Sequence, residues 1–280
     1  MSDKSILLLG VTGGVGRAVA DRLIEHGYEL IVTCRTPAQR DALLAEQRYK
    51  AVVLLSLSDN ASIDRAFDEL AELGIDSLAG VINCAAKLHA TPLEMVSAEE
   101  VNDIFQINVF GTLHTAQRAT PLLRKVKGRI IFVGSLAGSF VMPMTGAYSA
   151  SKFALEGICD GLRRELYPWG IHTSLIKPGA INTRMFQDHL ADVTREKEQL
   201  EGEFVGYYRG LYEAHERSIP KTVKLAVSTA NVARDVMRAL HDKNPSSRYY
   251  PGIDSKITGK LVGVIPDRLQ DWFSKKAFPL

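Results

Sequence analysis

Ser5-Ile-Leu-Leu-Leu-Gly-Val-Thr-Gly-Gly-Val-Gly-Arg-Ala-Val-Ala20 decides how the rest of this chain is read. An apolar run empties into four glycines in seven positions, Gly10, Gly13, Gly14 and Gly16, and then continues with helix-forming residues. Glycines at such a turn have two uses. They permit tight turning, and they let backbone N–H groups approach a phosphate. A strand before and a helix after favour the second use, because in a doubly wound sheet this turn lies near the crevice where ligands bind. The spacing itself leaves two patterns open. Gly10, Gly14 and Gly16 fit Gly-x-x-x-Gly-x-Gly, while Gly10, Gly13 and Gly16 fit Gly-x-x-Gly-x-x-Gly.

Outward from that turn, short apolar runs alternate with amphipathic stretches. Residues 6–9, 30–34, 51–55, 79–84, 129–135 and 171–177 read as strands, nearly continuous in Val, Ile and Leu as strands buried on both faces are. Helical patterns occupy 14–27, 37–47, 60–73, 99–126 and 148–167. The alternation predicts right-handed βαβ units, hence an α/β fold with a doubly wound parallel sheet and helices on both faces. After Pro178 the character changes. Residues 184–225 are rich in charge, with Tyr207, Tyr208 and Tyr212 interleaved, and read as a helical insertion over the C-terminal edge of the sheet. A helix at 230–242, a short strand at 248–252 and an amphipathic tail within 253–280 follow. No linker or repeat divides the chain, so 1–280 reads as a single domain.

Composition excludes several classes of function. The chain of 280 residues is 46% hydrophobic and 24% charged, enough for a full core. A formal charge of +2 is too small to suggest a nucleic-acid partner. Three cysteines, Cys34, Cys84 and Cys159, are widely spaced with no Cys-x-x-Cys pair. They predict neither a disulfide framework nor zinc, and a reducing, cytoplasmic setting is the simplest. The opening apolar run is too short for a signal peptide, and no run approaches the ~18 residues of a transmembrane segment. Seven histidines show no metal-ligand spacing, although His89 lies just after Asn83 and could face a pocket.

Two further stretches carry chemistry. Ile31-Val-Thr-Cys-Arg35 ends the second strand with Cys34 where a carboxylate would clasp the ribose 2′-hydroxyl of NAD, and Arg35 follows. Acid missing and base present favour the 2′-phosphate of NADP. Ile130-Ile-Phe-Val-Gly-Ser135 is a strand ending in a serine, and Tyr148-Ser-Ala-Ser-Lys152 opens a helix thirteen residues on. Tyr148 and Lys152, at i and i+4, share a helix face. An ammonium beside a phenol is expected to lower the phenol's pKa. A phenol that exchanges a proton near neutral pH is what carbonyl reduction or alcohol oxidation needs.

At these residues the chain resembles the classical short-chain dehydrogenase/reductase family, over residues 4–183 and more loosely through 252. Asn83-Cys-Ala-Ala86 stands where that family usually has Asn-Asn-Ala-Gly. Asn108, Ser135, Tyr148 and Lys152 match its catalytic tetrad in order and spacing, and Pro178-Gly-Ala-Ile-Asn-Thr183 is similar to its nicotinamide segment. The resemblance implies a Rossmann-type fold and an NADP-dependent enzyme interconverting a carbonyl and a secondary alcohol. Tyr148 would be the general acid/base, Ser135 would orient the substrate oxygen, Lys152 would bind the nicotinamide ribose and tune Tyr148, and Asn108 would hold a relay water. The implied cofactor contacts are Gly10, Thr12, Gly13, Gly14, Val15, Gly16, Arg35, Ser56, Leu57, Asn83, Ala85, Tyr148, Lys152, Pro178, Gly179, Ile181 and Thr183. Family members commonly pair through the helices near 99–126 and 148–167, which implies a homodimer or homotetramer.

Three positions depart from the family pattern. Leu9 replaces a threonine, Cys84 and Ala86 alter the Asn83 motif, and Ser56 stands where an adenine-contacting aspartate is frequent. The loop from Leu136 to Ala147 carries Phe140, Val141, Met142 and Met144 and no phosphate-binding arginine, which points to a bulky apolar substrate, steroid-like or retinoid-like. Residues 184–225 would close over it as a lid, adding Phe186, Phe204 and the tyrosines. Arg248-Tyr-Tyr-Pro-Gly252 and Ile265-Pro-Asp-Arg-Leu269 loosely resemble 17β-hydroxysteroid dehydrogenase-like and retinol dehydrogenase-like members. Two alternatives stand beside this reading. An extended-branch enzyme acting on a sugar nucleotide would need a larger C-terminal substrate region, and a non-enzymatic NADP sensor would generally lack the Tyr148–Lys152 pair.

Overall fold

The computed structural model describes residues 4–277. Seven parallel strands form one sheet in the order β3-β2-β1-β4-β5-β6-β7. They are β1 (Ser5–Leu9), β2 (Glu29–Cys34), β3 (Ala51–Leu54), β4 (Gly80–Asn83), β5 (Arg129–Val133), β6 (His172–Ile176) and β7 (Arg248–Tyr249). The chain runs outward from β1 to β3, returns beside β1 with β4, and then runs outward the other way. The reversal leaves a crevice at the C-terminal ends of β1 and β4, the ligand position of such sheets.

Alternation along each strand feeds two apolar layers. Leu7, Leu9, Val81, Ile130 and Phe132 pack on one face with residues of α3 (Asn60–Glu72), α5 (Gly111–Val126) and α6 (Gly146–Glu165). Ile6, Leu8, Ile82 and Ile131 pack on the other with α1 (Gly14–Glu25), α2 (Pro37–Ala45) and α9 (Thr229–His241). The doubly wound, two-layered arrangement expected from the alternating runs is therefore the one observed.

Side chains close four of the helix starts. Thr36 accepts from the Gln39 amide ahead of Pro37, Asp59 accepts from Ala61, Ser97 and Glu100 form a reciprocal capping box on α4 (Ala98–Phe105), and Ser228 accepts from Asn231. α1 is different. Its N-cap is Gly13, which has no side chain to offer, so the first turn presents bare amides to the crevice.

Several sequence expectations need correction. The single helix read over 99–126 is two, α4 and α5, joined by a π turn at Gln106–Phe110 that contains Asn108. The 184–225 insertion is a pair, α7 (Arg184–Glu198) and α8 (Phe204–Leu225). The final strand covers only Arg248–Tyr249, not 248–252, because an edge strand needs just two pairs, Leu175↔Arg248 and Ile176↔Tyr249, to join β6. The tail forms α10 (Ile253–Leu261) and α11 (Asp267–Ala277), separated before Pro266, and residues 278–280 of that expectation lie outside the described residues. No described helix is long and apolar enough to cross a membrane.

Candidate active site

Close backbone approach shapes the glycine turn. Gly10 has φ +84°, and a Cβ there would sit 2.8 Å from the Ala85 amide nitrogen at the end of β4. A Cβ on Gly16 would lie 2.0 Å from the Gly10 carbonyl oxygen. Both positions exclude any other residue. Gly13 and Gly14 differ, since a Cβ on Gly13 would meet only the Gly10 oxygen at 3.4 Å and one on Gly14 the Thr183 methyl at 3.3 Å. Their bareness leaves room for a ligand against the helix start. Thr12 is exposed and Val15 half-buried beside them.

Arg35 follows β2 on the surface, and among the described residues its side chain enters no ion pair or hydrogen bond. Cys34 is buried, its Sγ directed at the Thr36 and Val53 carbonyls, so no carboxylate stands at this strand end. A free guanidinium on the crevice side of β2, without a competing acid, fits a phosphorylated ribose. Next along, the Ser56 hydroxyl bonds to Ser58 at 2.7 Å, and Leu57 buries its side chain in the core, leaving only its backbone for a ligand.

Asn83 works within the protein. Its amide donates to Thr112 at 2.9 Å, and its Oδ1 accepts from the Ala85 N–H at 2.9 Å, holding the turn under the glycines. Asn108 is engaged on both sides. Its Oδ1 accepts from the Lys87 N–H at 2.8 Å, and its Nδ2 donates to the Lys87 carbonyl at 2.9 Å and to Ser151 Oγ at 3.0 Å. A water held by the Asn108 side chain is therefore not what this geometry favours. A π turn changes the i→i+4 acceptor pattern of a helix, and the backbone at Asn108 is the part left to serve a ligand or water.

Ser135 follows β5, where its Oγ accepts from the Ala137 amide at 3.1 Å. Ser135 also lies near enough to the Tyr148 phenol to pull its pKa down. Lys152 is 2% exposed. Its ammonium lies 5.5 Å from the Tyr148 ring centroid and donates to the Val133 carbonyl at 3.4 Å. The three groups thus converge beyond the end of β5, as their spacing predicts. The expected electrostatics do not follow. Burial pushes the Tyr148 phenol up to about 12, against a smaller downward pull from Ser135. Burial also pushes Lys152 down to about 8. The ammonium lies over the ring rather than at the phenol oxygen, so desolvation outweighs attraction.

Pro178–Thr183 closes the crevice. The Leu136 N–H donates to the Pro178 carbonyl at 2.9 Å, and Val227 N–H donates to Ala180 at 2.8 Å. Ile181 bridges Val227, and Gly179 is half-buried. Thr183 is the N-cap of α7 yet makes no side-chain cap bond, and its methyl faces Gly14 across the crevice.

Beyond it, α7 and α8 sit on the loops after β4 and β5. Met144, which has φ +67°, packs with Ala90, Val193, Leu200 and Tyr212. Glu196 Oε2 accepts from Thr91 Oγ1 at 2.6 Å and from the Tyr212 hydroxyl at 3.0 Å, while His89 Nε2 lies 3.2 Å from Glu100 and 3.6 Å from Glu196. Two readings change here. Met144 and Tyr212 are spent on packing rather than offered as open surface, and His89 joins a latch between the insertion and the β4 loop. Phe140 and Met142 are partly buried, Val141 is 49% exposed, and Phe186 packs on His189. Sequence reasoning passed over Lys87, Thr112, Ser151, Thr91 and Glu196. Ser151 alone had a local signal, as a hydroxyl beside Lys152.

Comparison with known proteins agrees with this geometry. A family model described as short chain dehydrogenase matches residues 4–194. The chain is 27% identical to an NADPH-dependent 3-dehydrocapnine reductase of Ornithobacterium rhinotracheale, over 95% of this chain and 94% of that protein. It is 28% identical to estradiol 17-beta-dehydrogenase 2 of Mus musculus, over 99% of this chain and 76% of that protein. A crystal structure of a short-chain dehydrogenase from Streptomyces avermitilis superposes with a TM-score of 0.76 at 25% identity, covering 99% of this chain and 98% of its own.

Proposed function

The chain belongs to the short-chain dehydrogenase family, and from that premise we propose that it is an NADPH-dependent oxidoreductase interconverting a bulky apolar ketone and its secondary alcohol. The observation that carries the reading is the convergence of Ser135, Tyr148 and Lys152 beyond β5, across from a glycine-walled crevice with bare helix amides. Gly10–Gly16, Asn83, Ala85 and Pro178–Thr183 would hold the dinucleotide, with Arg35 on its 2′-phosphate. An NADPH-dependent reductase among the relatives supports that cofactor.

The dinucleotide, when bound, supplies or accepts the hydride. In the reduction direction Tyr148 gives the proton from its phenol oxygen to the carbonyl oxygen, and Ser135 Oγ holds that oxygen in line. A phenol pushed up to about 12 is protonated at neutral pH and ready to donate. Lys152, pushed down to about 8, returns a proton to a Tyr148 phenolate downhill. Asn108, clamped by Lys87 and Ser151, fixes the π turn beside this relay.

The α7–α8 pair serves as the lid over the substrate. Phe140, Val141 and Met142 give it an apolar floor, and the similarity to an estradiol dehydrogenase supports a bulky apolar ligand. Phe110 and Phe153 are exposed on the elements through which a homodimer or homotetramer would form. Three free cysteines suit a reducing cytoplasm.

The test is turnover with NADPH and NADH of a steroid ketone, a long-chain ketone and a small polar keto acid. Faster turnover of the two apolar ketones with NADPH is expected. Preference for the keto acid overturns the substrate class, and equal use of both cofactors overturns the role of Arg35.

A further inference from the structure

Two lysines are buried among the described residues, Lys152 and Lys177. Lys152 serves the proposed chemistry. Lys177 follows β6 and stands immediately before Pro178. Leu175 packs in the layer beneath α6, and strand alternation turns Lys177 to the same side. An ammonium at such an inward position is costly unless it is paired.

Its partners come from three elements. Lys177 Nζ donates to Ser139 Oγ, just past the 3₁₀ turn Leu136–Gly138 whose N-cap is Ser135. It also forms an ion pair with Glu156 Oε1 of α6. On a third side the Tyr250 ring centroid lies 5.8 Å away, and that ring is backed by α10, where a Cβ on Gly259 would stand 2.1 Å from it. Tyr148, Lys152 and Glu156, four residues apart in turn, follow one stripe of α6. Glu156 Oε2 in its turn accepts from Arg248 Nε at 2.9 Å, which ties the stripe to β7.

The same point is where the catalytic elements touch. A Cβ on Gly138 would lie 2.9 Å from the Lys152 carbonyl oxygen and 3.4 Å from Glu156 Cγ, so the turn after Ser135 rests directly on α6. On its other side the turn is held by the Leu136 N–H donating to the Pro178 carbonyl at 2.9 Å. The plain alternative is that the ion pair only stabilises the fold. Apolar residues of similar volume often hold a core as well as a buried ion pair does, so stability alone does not call for a charge here. An apolar side chain at 177 could not bind Ser139 and Glu156 together, and so could not fix the turn against the helix.

We infer that Lys177 is a positioning residue: its ammonium, bridging Ser139 and Glu156, sets Ser135 against Tyr148 and Lys152 beside the nicotinamide segment. The inference rests on the oxidoreductase reading. Lys177 touches no reacting atom. Its effect comes through geometry, where a displacement of about 1 Å costs on the order of a hundredfold in rate.

Lys177→Met/Glu156→Gln tests it. The pair loses both charges at nearly constant volume, and the glutamine still accepts from Arg248. Three quantities are measured: the single-turnover rate of NADPH oxidation with the apolar ketone that the parent reduces fastest, NADPH affinity by fluorescence titration, and the midpoint of denaturant unfolding. The rate is expected to fall roughly tenfold to a hundredfold while affinity and midpoint stay near parental. A purely stabilising pair would shift the midpoint and leave the rate of the folded protein intact. Should the double variant fold poorly, Ser139→Ala, which keeps the ion pair, decides the matter by a several-fold fall in the same rate. A parental rate in the folded double variant or in Ser139→Ala overturns the inference, while turnover by the parent upholds the oxidoreductase reading. A parent that reduces no ketone overturns that reading, and the inference with it.

Discussion

The glycine turn and the α7–α8 pair face each other across one crevice but are held by different forces. In the turn, backbone touches backbone: a Cβ on Gly16 would stand 2.0 Å from the Gly10 oxygen, and one on Gly10 would stand 2.8 Å from the Ala85 nitrogen. In α8, by contrast, a Cβ on Gly206 or Gly210 would meet nothing within 4 Å. The helical pair rests on a small cluster around Val193, Leu200 and Tyr212 and on the hydrogen bonds that converge on Glu196. A region set by backbone contact tolerates little change, because each clash falls on atoms that cannot rotate away. A region set by a few side chains can be rebuilt around another ligand. Under the proposed function, the constant part of the chemistry would belong to the first region and substrate choice to the second.

The largest effect is expected where the two regions meet. Tyr148→Phe should lower turnover by about 10²- to 10⁴-fold, the range for a lost general acid, with cofactor affinity unchanged by fluorescence titration. In the parent, carbonyl reduction should be level at lower pH and fall as pH rises through about 8, where Lys152 loses the proton it returns to Tyr148. Near-parental turnover in Tyr148→Phe would place the chemistry elsewhere.

Next comes the cofactor side. Arg35→Ala should cost roughly ten- to a hundredfold in kcat/KM for NADPH and little for NADH, in keeping with one charged hydrogen bond to phosphate. Adding Cys34→Asp should turn preference toward NADH. Loss of both cofactors alike would show that Arg35 supports the fold rather than the phosphate.

The latch on the substrate side should respond more modestly. Glu196→Gln disturbs the bonds from Thr91 and Tyr212 at a cost of about 1–3 kcal/mol. Substrate KM is expected to rise roughly fivefold or more, and protease cleavage between α7 and α8 to quicken, while KM for NADPH holds. A change confined to NADPH would contradict the division between the two regions.

The smallest effect has the opposite sign. Gly210→Ala, in the open interior of α8, should stabilise the protein by about 0.5–1 kcal/mol in denaturant unfolding, whereas Gly16→Ala should prevent a native fold. Similar responses at the two glycines would erase the contrast.

Much of this molecule was legible in the chain. Unbroken Val, Ile and Leu runs marked six strands to within a few residues, because a strand buried on both faces has no other composition. The glycine spacing, the bare Arg35 and the Tyr148–Lys152 pair each lie within one turn or one helix face, so local geometry alone places them. The tertiary structure decided what depends on distant neighbours. Asn108 is clamped by Lys87 and Ser151, 21 and 43 residues away, and Glu196 meets Thr91 across 105. The tyrosine pKa moved up rather than down because burial is a property of the whole packed layer, and sequence spacing carries no measure of it.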